Sequence, residues 1–135
     1  MNRPEVSKKN KYWITRHRFY ELKHFCLQYP QWKHHLEIIS NWPNCVPSRN
    51  KLEGDRQSRP TEQIVMKRTY LTNRIKMLED VAQATDKLIG PYILKGVTEG
   101  RSYDQLSAYK QVPCSKDTYY DLYRRFFWLL DQARQ

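Results

Sequence analysis

Ile64, Leu71, Ile75, Leu78 and Ala82 recur at steps of seven, four, three and four residues. That spacing sets all five on one side of an α-helix. Lys67, Arg68, Arg74, Lys76, Glu79 and Asp80 fall on its other faces. Pro60-Thr61 supplies a start and Gly90-Pro91 a break, with Leu88 and Ile89 extending the stripe. The pattern predicts one helix over about 61–89, roughly 40 Å long. An apolar stripe of that length must be covered, so the rest of the chain has to pack along it.

The remaining segments also read as helix. Thr15 can cap a helix over about 16–29, in which Phe19, Leu22, Cys26 and Tyr29 share a face. Pro30 ends it or opens a second helix carrying Trp32, Leu36 and Ile39. A short segment at Tyr92–Val97 stops at Thr98-Glu99-Gly100. No alternating strand pattern occurs. The expectation is an all-α protein with a long central helix and a C-terminal helix–turn–helix. The expected divisions are a basic arm with N-terminal helices over 1–42, a loop or linker over 43–60 punctuated by Pro43, Pro47, Gly54 and Pro60, and the long helix with its helix–turn–helix over 61–135.

Composition narrows the function. The chain of 135 residues carries 24 Lys+Arg against 14 Asp+Glu, a net charge of +10, which favours an anionic partner. Most of the excess lies in residues 1–60. No run approaches the ~20 apolar residues of a membrane span, and the basic N-terminus lacks the apolar stretch of a secretory signal. Cys26, Cys45 and Cys114 are odd in number and widely spaced, which suits a reducing cytoplasm. His24, Cys26, His34, His35 and Cys45 are close in sequence but lack zinc-site spacing, so no metal or cofactor is expected. Phosphate-binding glycine loops, nucleophile elbows and clustered carboxylates are absent, which argues against an enzyme.

The last forty residues carry the functional reading. Ser102 with Gln105 has capping-box form and opens a helix over about 103–110. Val112-Pro113-Cys114 is a turn, and Ser115 caps a final helix over about 116–133. In a helix–turn–helix the first helix braces the second, whose first turn enters the DNA major groove. At about 100° per residue, Tyr119, Leu122, Tyr123, Phe126, Leu129, Leu130 and Ala133 make the core face. Asp117, Tyr120, Asp121 and Arg124 lie opposite, with Lys116 at the edge. Lys116 and Arg124 can reach guanine acceptors or phosphates, Asp117 a cytosine amine, and Tyr120 a phosphate or thymine methyl. Ser115 can hold a phosphate, and Arg101 and Lys110 flank the motif. The second half of this helix is apolar all round, so Phe127 and Trp128 are either covered by the N-terminal helix or form a partner contact. Lys8, Lys9, Lys11, Arg16 and Arg18, interleaved with Tyr12 and Trp13, form a basic arm suited to a phosphate backbone.

The stretch GVTEGRSYDQLSAYKQVPCSKDTYYDLYRRFFWLLDQ resembles the promoter-reading module of bacterial sigma factors. With RFYELKHFCLQYPQW and the long helix before it, the layout is similar to phage-encoded transcription regulators of the RinA and ArpU type. The resemblance implies a prophage regulator in the bacterial cytoplasm that binds double-stranded promoter DNA and acts with host RNA polymerase as an activator. A single motif contacts few base pairs, so either the polymerase or a second copy in a homo-oligomer is expected to add specificity. It places Lys116, Asp117, Tyr120 and Arg124 at the base-facing side, and Val112 and Tyr119 at packing positions. The inter-helix stretch AYKQVPCS departs from the pattern by carrying Pro113 and no glycine. Two alternatives share the composition: a small-terminase-like DNA-packaging protein, and a phage inhibitor that docks on a host protein.

Overall fold

A computed structural model describes residues 9–45 and 54–135, with side chains over 9–41 and 61–135. The described residues form helices and no strand: α1 (Arg16–Leu27), α2 (Tyr29–Cys45), α3 (Gly54–Thr85), α4 (Gly90–Glu99), α5 (Tyr103–Tyr109) and α6 (Lys116–Ala133). The protein is all-α, built along the long helix α3.

The caps explain most boundaries. The Thr15 side chain accepts from the Arg18 N–H and starts α1. Pro30 then sits in the first turn of α2, where its missing N–H costs nothing. The Asp86 carboxylate accepts from the N–H groups of Leu88 and Ile89, closing the turn between α3 and α4. Gly100, at φ 69°, takes the left-handed conformation that ends α4, and the Arg101 N–H returns to the Gly96 carbonyl at 2.9 Å.

Leu71, Ile75, Leu78 and Ala82 are buried as their spacing predicts, and Ile64 is half-buried. Phe19, Leu22, Cys26 and Tyr29 are buried too, and Phe25 and Trp32 join them through an edge-to-face contact at 4.9 Å. One cluster draws on α1, α2, α3, α4 and α6, extending to Leu106 of α5 and Val112 of the turn. The N-terminal helices are thus part of the same core as the C-terminal ones. Helix covers 43–45 and 54–60 of the stretch expected to be linker, because α2 and α3 pack against each other. An Arg68 guanidinium nitrogen meets the Ile39 carbonyl across that contact at 3.4 Å. The long helix also ends at Thr85 rather than near residue 89.

Two contacts decide what covers the apolar end of α6. Phe127 is 1% exposed, edge-on to Phe19 at 4.9 Å and to Tyr123 at 5.0 Å. Trp128 is half-buried, with the Tyr12 ring 5.8 Å away. The Tyr12 hydroxyl also accepts from Arg125 at 3.3 Å, a bond that pulls its pKa below the usual phenol value. Phe127 therefore has no surface to offer a partner, which corrects one of the two expected partner contacts. Residues 9–12, part of the expected basic arm, bring Tyr12 onto α6.

Candidate nucleic-acid interface

The short helix, turn and long helix expected at the C-terminus are present as α5, residues 110–115 and α6. Ser102 and Gln105 form the reciprocal capping box at the start of α5. Ser115 caps α6 by accepting from the Thr118 N–H at 3.2 Å. The turn is pinned from α5. The Tyr103 hydroxyl donates to the Cys114 carbonyl at 2.7 Å, and the Tyr103 N–H donates to the Tyr120 hydroxyl at 3.1 Å. No described residue besides Gly100 has a positive φ, so this turn closes without the glycine that its sequence lacks.

The buried face of α6 is rotated from its expected position. Tyr119, Tyr123, Phe126, Phe127 and Leu130 are buried, whereas Leu122 and Leu129 are half-buried and Ala133 is exposed. The centre of burial moves by about 40° around the helix, toward Tyr120. Tyr120 is consequently not a free, outward-facing group. It is half-buried, edge-on to Tyr119 at 5.1 Å and Tyr123 at 5.4 Å, with its hydroxyl occupied by Tyr103. Arg124 follows it inward; its terminal nitrogen meets Asp121 at 2.9 Å, and its Nε is buried without a hydrogen-bond partner.

Lys116, Asp117 and Thr118 remain exposed at the start of α6. Lys116 meets Asp104 of α5 at 3.3 Å, an open ion pair that a phosphate or base can displace at little cost. Lys110 is exposed at the end of α5. Within the basic arm, Lys11 lies over the Tyr12 ring at 5.1 Å and Arg16 is exposed at the start of α1. Lys9 is exposed, and Lys8 lies outside the described residues. Arg18 belongs elsewhere: it meets Asp131 of α6 at 2.6 Å and Glu21 at 2.9 Å. Those bonds raise its pKa and make it a tie between α1 and α6.

Beside α5 the fold makes a cleft of about 300 Å³, lined by Lys23, Arg101, Ser102, Gln105, Tyr120 and Tyr123 over a floor of glycine backbone. Lys23 from α1 and Arg101 from the α4–α5 junction bring two cations to it, and its lining contains no carboxylate. The Arg101 guanidinium is held by Glu99 at 2.7 Å and by the Tyr109 ring at 4.4 Å. Burial works against the Glu99 charge, but bonds from Lys95 and Arg101 outweigh it and hold the carboxyl below its usual range. Burial pushes the Tyr119 and Tyr123 phenols well up, so both stay neutral, and the buried Tyr119 hydroxyl has no hydrogen-bond partner among the described residues. Lys23 carries no such signal in the sequence, because only the packing of α1 against α4 and α6 brings it to the cleft.

Among the described residues no group of three or more His, Cys, Asp or Glu side chains gathers to hold a metal. Cys26 lies in the core, where burial raises its thiol pKa far beyond the usual value. Among the described residues no helix is long and apolar enough to cross a membrane. Comparison with family models, with curated proteins and with solved structures gives no match.

Proposed function

We propose that this chain is a sequence-specific DNA-binding transcription regulator that docks on a duplex through α5, the turn and the start of α6. The observation that carries this reading is the cationic cleft of Lys23 and Arg101 beside an exposed, capped first turn of α6. Lys23 and Arg101 seat a backbone phosphate, with Ser102 and Gln105 as neighbouring polar groups. Lys116, Asp117 and Thr118 then face base edges, with Lys110 toward the adjoining backbone. The aromatic side chains behind them keep the first turn of α6 in place. Arg16 and the described part of the arm add attraction without sequence preference. Trp128, half-covered by Tyr12, is where RNA polymerase or a second copy would approach. On this reading, which the likeness of the sequence to RinA- and ArpU-type regulators supports, the protein acts on phage promoters in a bacterial cytoplasm.

The test is duplex affinity as a function of salt, for the natural chain and for Lys23→Ala, Arg101→Ala and the double variant. Each substitution is expected to weaken binding to all sequences and to lower the slope of log K against log salt by about 1. Absence of duplex binding at about 50 mM salt would reject the reading, as would a double variant with unchanged slope and affinity.

A further inference from the structure

Arg74 of α3 and Arg134 at the end of α6 converge on one aromatic bed. The Arg134 guanidinium carbon lies 3.7 Å from the centre of the Phe25 ring, and that of Arg74 lies 5.5 Å from the same centre. Arg74 also sits 4.2 Å from the Tyr70 ring and 5.9 Å from Trp32. Ring faces attract the charge but accept few of the N–H groups. The Nε atoms of both arginines are buried without a hydrogen-bond partner. Among the described residues neither has a carboxylate within pairing distance. The nearby Arg18 does, through Asp131 and Glu21. Burial, then the neighbouring charges of Arg74 and Arg18, lower the pKa of Arg134, outweighing the opposing charge of Glu21. Two like charges held together with orphaned donors are costly unless something answers them.

The groove over these arginines has a volume of about 370 Å³, and Tyr70, Asn73, Met77, Ala133 and Gln135 complete its walls. That is room for a small molecule with an apolar portion. We propose that Arg74 and Arg134 form a binding site for a small phosphate monoester. A monoester near neutral pH carries a charge of about −1.5 to −2 and three acceptor oxygens. It can therefore meet both forks, whereas a phosphodiester offers a single charge. The groove adjoins the far end of α6 from Ser115, about 27 Å along an 18-residue helix. It is thus separate from the duplex-binding surface and goes beyond that reading.

The test follows the Nε–H signals of Arg74 and Arg134 by NMR in the full chain, at constant ionic strength. The probes are inorganic phosphate, phenyl phosphate, dimethyl phosphate and a DNA duplex. Inorganic phosphate and phenyl phosphate should shift both signals saturably and raise the thermal midpoint, with phenyl phosphate binding more tightly. Arg74→Gln should remove the response of the Arg134 signal. The proposal is overturned if neither monoester shifts the signals beyond a chloride control. It also fails if dimethyl phosphate or the duplex shifts them as strongly, or if an Arg74→Gln/Arg134→Gln chain gains the same midpoint increase. The measurements on the natural chain decide the matter even where a variant does not fold.

Discussion

Replacing Phe126 with Ala is expected to destabilise the protein by about 3–5 kcal/mol. The ring is 0% exposed and meets Phe127 edge-on at 5.2 Å. Deleting it removes the transfer energy of a full aromatic side chain. It also leaves a void that the surrounding rigid elements cannot collapse to fill. For a domain of this size the thermal midpoint should fall by roughly 10–20 °C. Thermal or urea unfolding followed by circular dichroism measures this directly. A midpoint within about 2 °C of the natural chain would mean that α6 does not pack as described.

Gly90→Ala carries the second large penalty, from the opposite cause. A methyl group there would run into the Ala82 carbonyl oxygen and lie 3.0 Å from its carbon. Both obstacles are backbone of α3, so no side chain can swing aside. Separating α4 from the end of α3 would disturb Ile89 and Ile93, both buried in the shared core. A loss of about 1–3 kcal/mol is expected, the usual range for overpacking a tight site. Leu88→Ala two residues earlier is the control, because Leu88 is 63% exposed and should change stability by no more than about 0.5 kcal/mol. Equal urea midpoints for Gly90→Ala and the natural chain would contradict the close approach of α3 and α4.

The helices and caps were legible because they depend on local chemistry. Thr15, Ser102 and Ser115 each cap the helix that their positions announce. The stripe from Ile64 to Ala82 points into the core because a seven-four-three-four spacing fixes one side of a helix. The orientation of α6 was less legible. From Phe126 to Leu130 every side is apolar, so periodicity could not choose between a core centred on Leu122 and Leu129 and one centred nearer Phe127. Packing of Phe19 on Phe127 made that choice, and it carried Tyr120 and Arg124 inward with it.

The interface was legible only at the start of α6. Ser115, Lys116 and Asp117 lie where a capped first turn must leave them, exposed beyond the core. Arg18 looked like part of a basic arm because its partner Asp131 is 113 residues away in sequence. Lys23, and the pairing of Arg74 with Arg134, were hidden for the same reason. A contact between distant helices leaves no periodic trace in either one.

Backbone amide shifts on adding a DNA duplex to the labelled full chain test the central claim most directly. The account predicts that the perturbed amides cluster at Lys23, from Gly100 to Gln105, and from Lys110 to Thr118. Residues around Arg74 and Arg134 should stay still. Perturbations confined to the outer faces of α2 and α3, with the start of α6 unchanged, would contradict it.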